Sequence, residues 1–152
     1  MTDPSIHLAV LLNPSSRGRA FNNRSAEASF EKDGKGLPYY GCTPLPLIAN
    51  ETVLEQPVDF NTLNRKYTDA ATAFIKRAAA DTTPFLLYLA YGHVHTPQYA
   101  AQPFQGKSRR GVFGDSVMEL DASVGELNAL LKTLGIQDDT LVLLTSALLC
   151  FY

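Results

Sequence analysis

The chain has 152 residues, enough for one domain around a single core, and its 45% hydrophobic and 18% charged residues exclude a disordered or fibrous chain. With 13 basic and 15 acidic side chains the net charge is −2, which gives no electrostatic reason to expect nucleic acid or an anionic membrane surface as partner. No stretch is long and apolar enough to span a bilayer.

The N-terminus opens Met1-Thr2-Asp3-Pro4, without the basic lead and long apolar run of a secretory signal. The short apolar stretch Ile6 to Leu12 reads instead as a possible strand, and His7 inside it as a core or edge histidine. Residues 13–44 have loop composition, with Asn13-Pro14-Ser15-Ser16-Arg17-Gly18 and Lys32-Asp33-Gly34-Lys35-Gly36, and Pro38, Pro44 and Pro46 limit regular structure further. Asn23-Arg24-Ser25 and Asn50-Glu51-Thr52 match the N-glycosylation sequon, a short pattern that also arises by chance. Cys42 and Cys150 are too few for a disulfide framework and match no zinc spacing, which leaves a single bridge between them open.

From Asn61 the pattern becomes helical. Leu63, Tyr67, Ala70, Phe74 and Ala78 recur at three- and four-residue steps, and Asp81-Thr82-Thr83-Pro84 ends the run. Phe85 to Tyr91 is continuously apolar between Pro84 and Gly92, as in a strand buried on both faces. A polar loop follows from His93 to Gly111, and the basic cluster Lys107, Arg109 and Arg110 in it reads as a solvated loop. Val117, Leu120, Val124, Leu127, Leu131 and Leu134 then trace a long helix. Ser116 with Glu119 fits a capping box at its start, and Gly135 fits the left-handed position just past its end. Thr140 to Thr145 reads as a second buried strand.

Strand, helix, strand makes a parallel βαβ unit within an α/β layer architecture. In such sheets ligands sit beyond the carboxyl ends of the strands, so the residues after Tyr91 and after Thr145 are expected on one functional edge. His93 and His95 stand there. An extended chain would turn both imidazoles to one side, where they could share a metal or an oxyanion. On spacing alone the pair reads more readily as loop histidines, one bonded to backbone and one solvated.

The segments Pro84 to Ala90, His93-Val94-His95-Thr96-Pro97-Gln98-Tyr99, Gly111 to Gly125 and Asp139 to Ser146 resemble, in order and in spacing, the arylsulfatase family, specifically over 84–146 and more weakly from Gly36. Upstream, Leu45-Pro46-Leu47 to Asn50 and Glu55-Gln56-Pro57-Val58 are similar to the arylsulfatase A and G branch. The resemblance implies a partial alkaline-phosphatase/sulfatase-like α/β fold over 36–146, with 1–35 as an irregular segment outside it and 147–152 as a divergent tail. It implies a sulfate-ester substrate, a bound calcium ion, a formylglycine nucleophile and a lysosomal or secreted setting; it sets no oligomeric state. His95, in His95-Thr96-Pro97, matches the histidine that meets the sulfate near the leaving-group oxygen, and His93 is expected as a substrate-binding neighbour.

The departures from that pattern bear on activity. The family's Cys-x-Pro-Ser-Arg motif is absent, and Asn13-Pro14-Ser15-Ser16-Arg17 cannot replace it because asparagine is not oxidised to formylglycine. Ala147-Leu148-Leu149 stands where the family has the metal-binding Asp-Asn-Gly, and alanine and leucine offer a hard cation no side-chain oxygen. The family's paired aspartates and its downstream lysine have no counterpart. The expectation is a sulfatase-family catalytic-domain fragment that lacks turnover by itself. The alternatives are a truncated, non-catalytic chain that binds, interferes or is unstable, and a phosphatase or phosphodiesterase of the same superfold. Exposed apolar surface around Leu141–Leu149, with a tendency to aggregate, is also expected.

Overall fold

The computed structural model describes the backbone of residues 7–11 together with residues 46–81, 84–95 and 98–145. The loop expected over 13–44 therefore lies outside the described residues, as do Asn23, both cysteines, the side chain of His7 and residues 146–152.

Strand β1 (His7–Leu11) pairs in parallel with β4 (Phe85–Leu89), with His7 opposite Phe85 and Leu11 opposite Leu89. Between them in sequence come the antiparallel hairpin β2 (Leu47–Ala49) and β3 (Thr52–Glu55) and the helix α1 (Phe60–Ala80). Helix α2 (Gly111–Thr133) follows β4 and packs along α1, which also lies against β1 and β4. The hairpin turns at Asn50, an exposed residue with φ of 53°, a left-handed conformation that asparagine tolerates better than most side chains. The Asn50 sequon thus sits on an exposed turn.

The parallel pair differs from the one the sequence suggested. Residues 140–145 form no strand, and Leu141 and Leu143 are 82% and 78% exposed. The partner of β4 is instead β1, and α1 is the helix between them in the chain. An apolar run has the composition of a strand, but a strand exists only where a neighbouring backbone completes its ladder. None does so here among the described residues. For the same reason β4 is not buried on both faces: Phe85, Leu87 and Leu89 turn partly inward while Leu86 and Tyr88 are exposed.

Helix α1 begins where Asp59 accepts the Asn61 backbone N–H at 3.0 Å, satisfying one of the unpaired donors of the first turn. Its buried side runs Phe60, Leu63, Tyr67, Ala71, Ile75 and Ala78, a stripe rotated slightly from the expected one, so that Ala70 is exposed. Leu47, Val58, Phe60, Leu63, Tyr67 and Tyr99 form the core, with Leu89 and Tyr91 packed against it. Phe74 meets Phe85 edge-on, ring centres 5.8 Å apart, fastening α1 to the sheet.

Helix α2 starts at Gly111, five residues before the expected cap, and Ser116 and Glu119 are buried within it rather than capping it. Asp115 does the anchoring: its two carboxylate oxygens accept the backbone N–H groups of Gly106 and Ser108, both at 2.7 Å. The far end matches the sequence reading. Gly135 has φ of 71°, the Ile136 N–H reaches Leu131 O, and the Gly135 N–H reaches Lys132 O, the paired bonds of a Schellman termination.

Candidate functional site

The site lies beyond the carboxyl ends of β1 and β4, the edge at which ligands meet parallel sheets. After Leu89 the chain runs through Ala90 and Tyr91 into a tight turn closed by the His95 N–H on Gly92 O at 3.2 Å. The turn gives the two histidines opposite surroundings. His93 is enclosed, with no exposed side-chain surface, whereas His95 is exposed. They therefore do not share one face, because the chain bends where an extended segment was expected. His93 Nε2 lies 2.9 Å from Glu119 Oε2, on a carboxylate that is itself 4% exposed, and the His93 ring stands against Tyr99 with centres 4.5 Å apart. The same Glu119 oxygen accepts the Ala101 backbone N–H at 2.8 Å, so one carboxylate ties both His93 and Ala101 to α2.

Around this pair α1 and α2 meet through a polar seam. Asn64 Nδ2 donates to the Glu119 backbone carbonyl at 3.3 Å. Thr68 donates its hydroxyl to Asn64 O at 2.8 Å, so the 2.6 Å contact with Ser123 must run from Ser123 to Thr68. The 2.8 Å contact between Tyr91 and Ser123 then runs from the phenol to Ser123. The chain of donation is one-way: Tyr91, Ser123, Thr68, Asn64 O. At the rim Arg65 grips Glu126 with two bonds of 2.7 and 2.9 Å and also meets Asp69. That guanidinium holds the Glu126 carboxyl below its ordinary range. Burial pushes the Tyr67, Tyr91 and Tyr99 phenols upward, Tyr99 the furthest.

Glu119 and Tyr99 are the residues that the sequence reading missed in this role. The signal for Glu119 was present: Ser116, Glu119 and Ser123 form a polar stripe at three- and four-residue steps on one side of α2. Its counterpart on α1 is Asn64 and Thr68.

Among the described residues no three His, Cys, Asp or Glu side chains come together as ligands for a metal ion. The two buried carboxylates are committed to backbone N–H groups and to His93. These residues do not fit the calcium ion that the resemblance implies. Nor do they fit the nucleophile: Cys42-Thr43-Pro44 continues with Leu45-Pro46 where Ser-Arg would be required, and Cys42 lies outside the described residues.

Comparison with known proteins adds a relationship to this geometry. The profile of the family described as Sulfatase matches residues 19–146, extending into the N-terminal segment where the sequence showed no resemblance. Arylsulfatase A of Bos taurus is 42% identical over 112 residues, 74% of this chain and 22% of that protein. Arylsulfatase A of Homo sapiens is 42% identical over 106 residues, 70% of this chain and 21% of that protein. Steryl-sulfatase of Homo sapiens is 42% identical over 100 residues, 66% of this chain and 17% of that protein. The chain spans about a fifth of the length of the curated relatives it matches.

Proposed function

The chain belongs to the sulfatase family, and from that footing we propose that it supplies the His95 side of a sulfate-ester hydrolase site. The family's domain carries an alkaline-phosphatase-like α/β fold, of which the described residues form a part. The observation that carries the proposal is the turn after β4. It places an exposed imidazole, His95, at the carboxyl edge of a parallel strand pair, backed by a fully enclosed one, His93.

In this reading the ester's sulfate group meets the edge beside His95. As the S–O bond to the leaving group breaks, negative charge gathers on the departing oxygen. A protonated or N–H-bearing imidazole there stabilises that charge and gives its proton to the departing oxygen, which leaves as the alcohol or phenol, while the sulfuryl group passes to a nucleophile supplied from outside these residues. His93 lies behind, held away from solvent by Glu119, and steadies the segment that carries His95. Calcium and formylglycine belong to the family's chemistry, and these 152 residues hold no Cys-x-Pro-Ser-Arg from which the latter is made.

Removing a single electrostatic donor from an enzyme site costs about 10²–10³ in rate. With the nucleophile missing as well, the 152-residue polypeptide is expected to release no phenol from an aryl sulfate above the level of a His95→Ala control. Clear turnover that His95→Ala removes would overturn the inactivity. The exposed Leu86, Tyr88 and Leu141–Leu144 favour a second reading, a non-catalytic chain that binds or interferes through apolar surface. A folded, monodisperse protein that captures no sulfate would support it. Among the described residues no helix is long and apolar enough to cross a membrane.

A further inference from the structure

We infer that Glu119 is a positioning residue: through His93 and the Ala101 amide it holds the 92–95 turn and residue 101 against α2 and thereby sets where His95 stands. The inference deepens the sulfatase reading, on which the purpose of placing His95 rests. Its geometric part stands on four observations. Glu119 and His93 are both buried, on different elements, 26 residues apart in sequence and 2.9 Å apart in space. Both bonds that Glu119 makes to the segment fall on one oxygen, Oε2. The remaining nitrogen of His93, Nδ1, is buried and has no hydrogen-bond partner among the described residues. The turn between the two anchored residues bears the exposed His95.

These observations also fix the tautomer. An ionised carboxylate has no hydrogen to donate, so Oε2 accepts from His93 as it does from the Ala101 N–H, and Nε2 carries the hydrogen. Nδ1 is then a bare lone pair. A hydrogen on Nδ1 would leave an N–H group orphaned in the interior, a costlier arrangement than an unused lone pair. A histidine held in one tautomer by a buried carboxylate cannot flip its ring without losing that bond, and the backbone turn that carries it is immobilised in the same act. The His95 backbone is held in the turn by its bond to Gly92 O, and Glu119 holds His93 within that same turn.

The test uses the whole 152-residue chain, isotopically labelled, with the variants Glu119→Gln and Glu119→Leu. Nitrogen–proton correlation of the His93 ring should show the hydrogen on Nε2 in the wild-type chain. Because a single amide oxygen can accept both bonds that Oε2 accepts, Glu119→Gln should keep that tautomer and the slow exchange of the Ala101 and His95 amides. Glu119→Leu removes the acceptor, so both amides should exchange roughly tenfold faster or more while Leu63, Ile75 and Leu131 stay protected. A hydrogen on Nδ1 of the wild-type chain overturns the inference, as does unchanged His95 exchange in Glu119→Leu. If Glu119→Leu does not fold, the wild-type tautomer and its retention in Glu119→Gln decide the matter. Titration with inorganic sulfate, followed on the His95 ring, separates this inference from the sulfatase reading. If sulfate leaves that ring unmoved while the tautomer and exchange results hold, the reading of His95 as a sulfate contact fails and the positioning stands. If sulfate shifts the ring while Glu119→Leu exchanges no faster, the positioning fails.

Discussion

At the scale of single residues, Tyr99 is the clearest case of a side chain whose chemistry is set by its surroundings. Its ring lies between Phe60, at 4.7 Å, and His93, at 4.5 Å, and burial drives its phenol well above the usual tyrosine range. A phenol that holds its proton more firmly when folded contributes stability below the unfolded value of about 10. That stability is lost as pH rises through the folded value, because the unfolded chain then binds fewer protons. Denaturant melts from about pH 9 to 11 should therefore show falling stability. Tyr67 and Tyr91 shift in the same direction, so Tyr99→Phe should flatten this decline without abolishing it. A decline that Tyr99→Phe leaves unchanged would assign the alkaline sensitivity elsewhere. Of these residues the sequence singled out His93 and His95. It could not place Tyr99 and Glu119 against His93 alone, because residues adjacent in a polar loop gave no sign that the chain turns between 92 and 95.

Elements show where local pattern suffices and where it does not. The three- and four-residue spacing from Leu63 to Ala78 identified α1, and Gly135 identified the end of α2, since both depend on neighbours within a turn or two. The start of α2 was misplaced because Ser116 and Glu119 have the chemistry of a cap, and only tertiary structure reveals that both are buried mid-helix. Thr140–Thr145 failed for a related reason: strand formation depends on a distant backbone that composition does not report. The true beginning of α2 makes its own prediction. A Cβ on Gly114 would fall 1.9 Å from Ser108 Oγ and 2.7 Å from Ser108 Cβ, in the very loop that Asp115 holds. Gly114→Ala should destabilise the chain by about 1–3 kcal/mol in a denaturant melt. Gly125→Ala, with open space around it, is the matched control; equal loss in both would show that the Ser108 contact is not the cause.

For the molecule as a whole, the distribution of apolar surface is the dominant fact. Leu86 and Tyr88 are exposed on the outer face of β4, and Leu141, Val142, Leu143 and Leu144 form an exposed run after α2. A dye that fluoresces on apolar surface should bind the folded chain, and Leu141→Ser with Leu143→Ser should reduce that signal while barely moving the melting midpoint. An unaltered signal would place the dye elsewhere, such as on Leu86 and Tyr88. Helix α2 shares this inversion, with Ser116, Glu119 and Ser123 inside and Val117 and Met118 exposed. Burial of hydrocarbon has no preferred angle, and by itself it would roll the helix about its long axis until the valine and methionine were hidden. Hydrogen bonds do have a preferred angle, and those that join Asn64, Thr68, Tyr91, His93 and Ala101 to α2 engage it from several directions like the wards of a lock. The rotational setting of this helix is thus governed by directional bonds at the expense of oiliness. A seam rebuilt from alanine and leucine would free α2 to adopt several settings where it now has one.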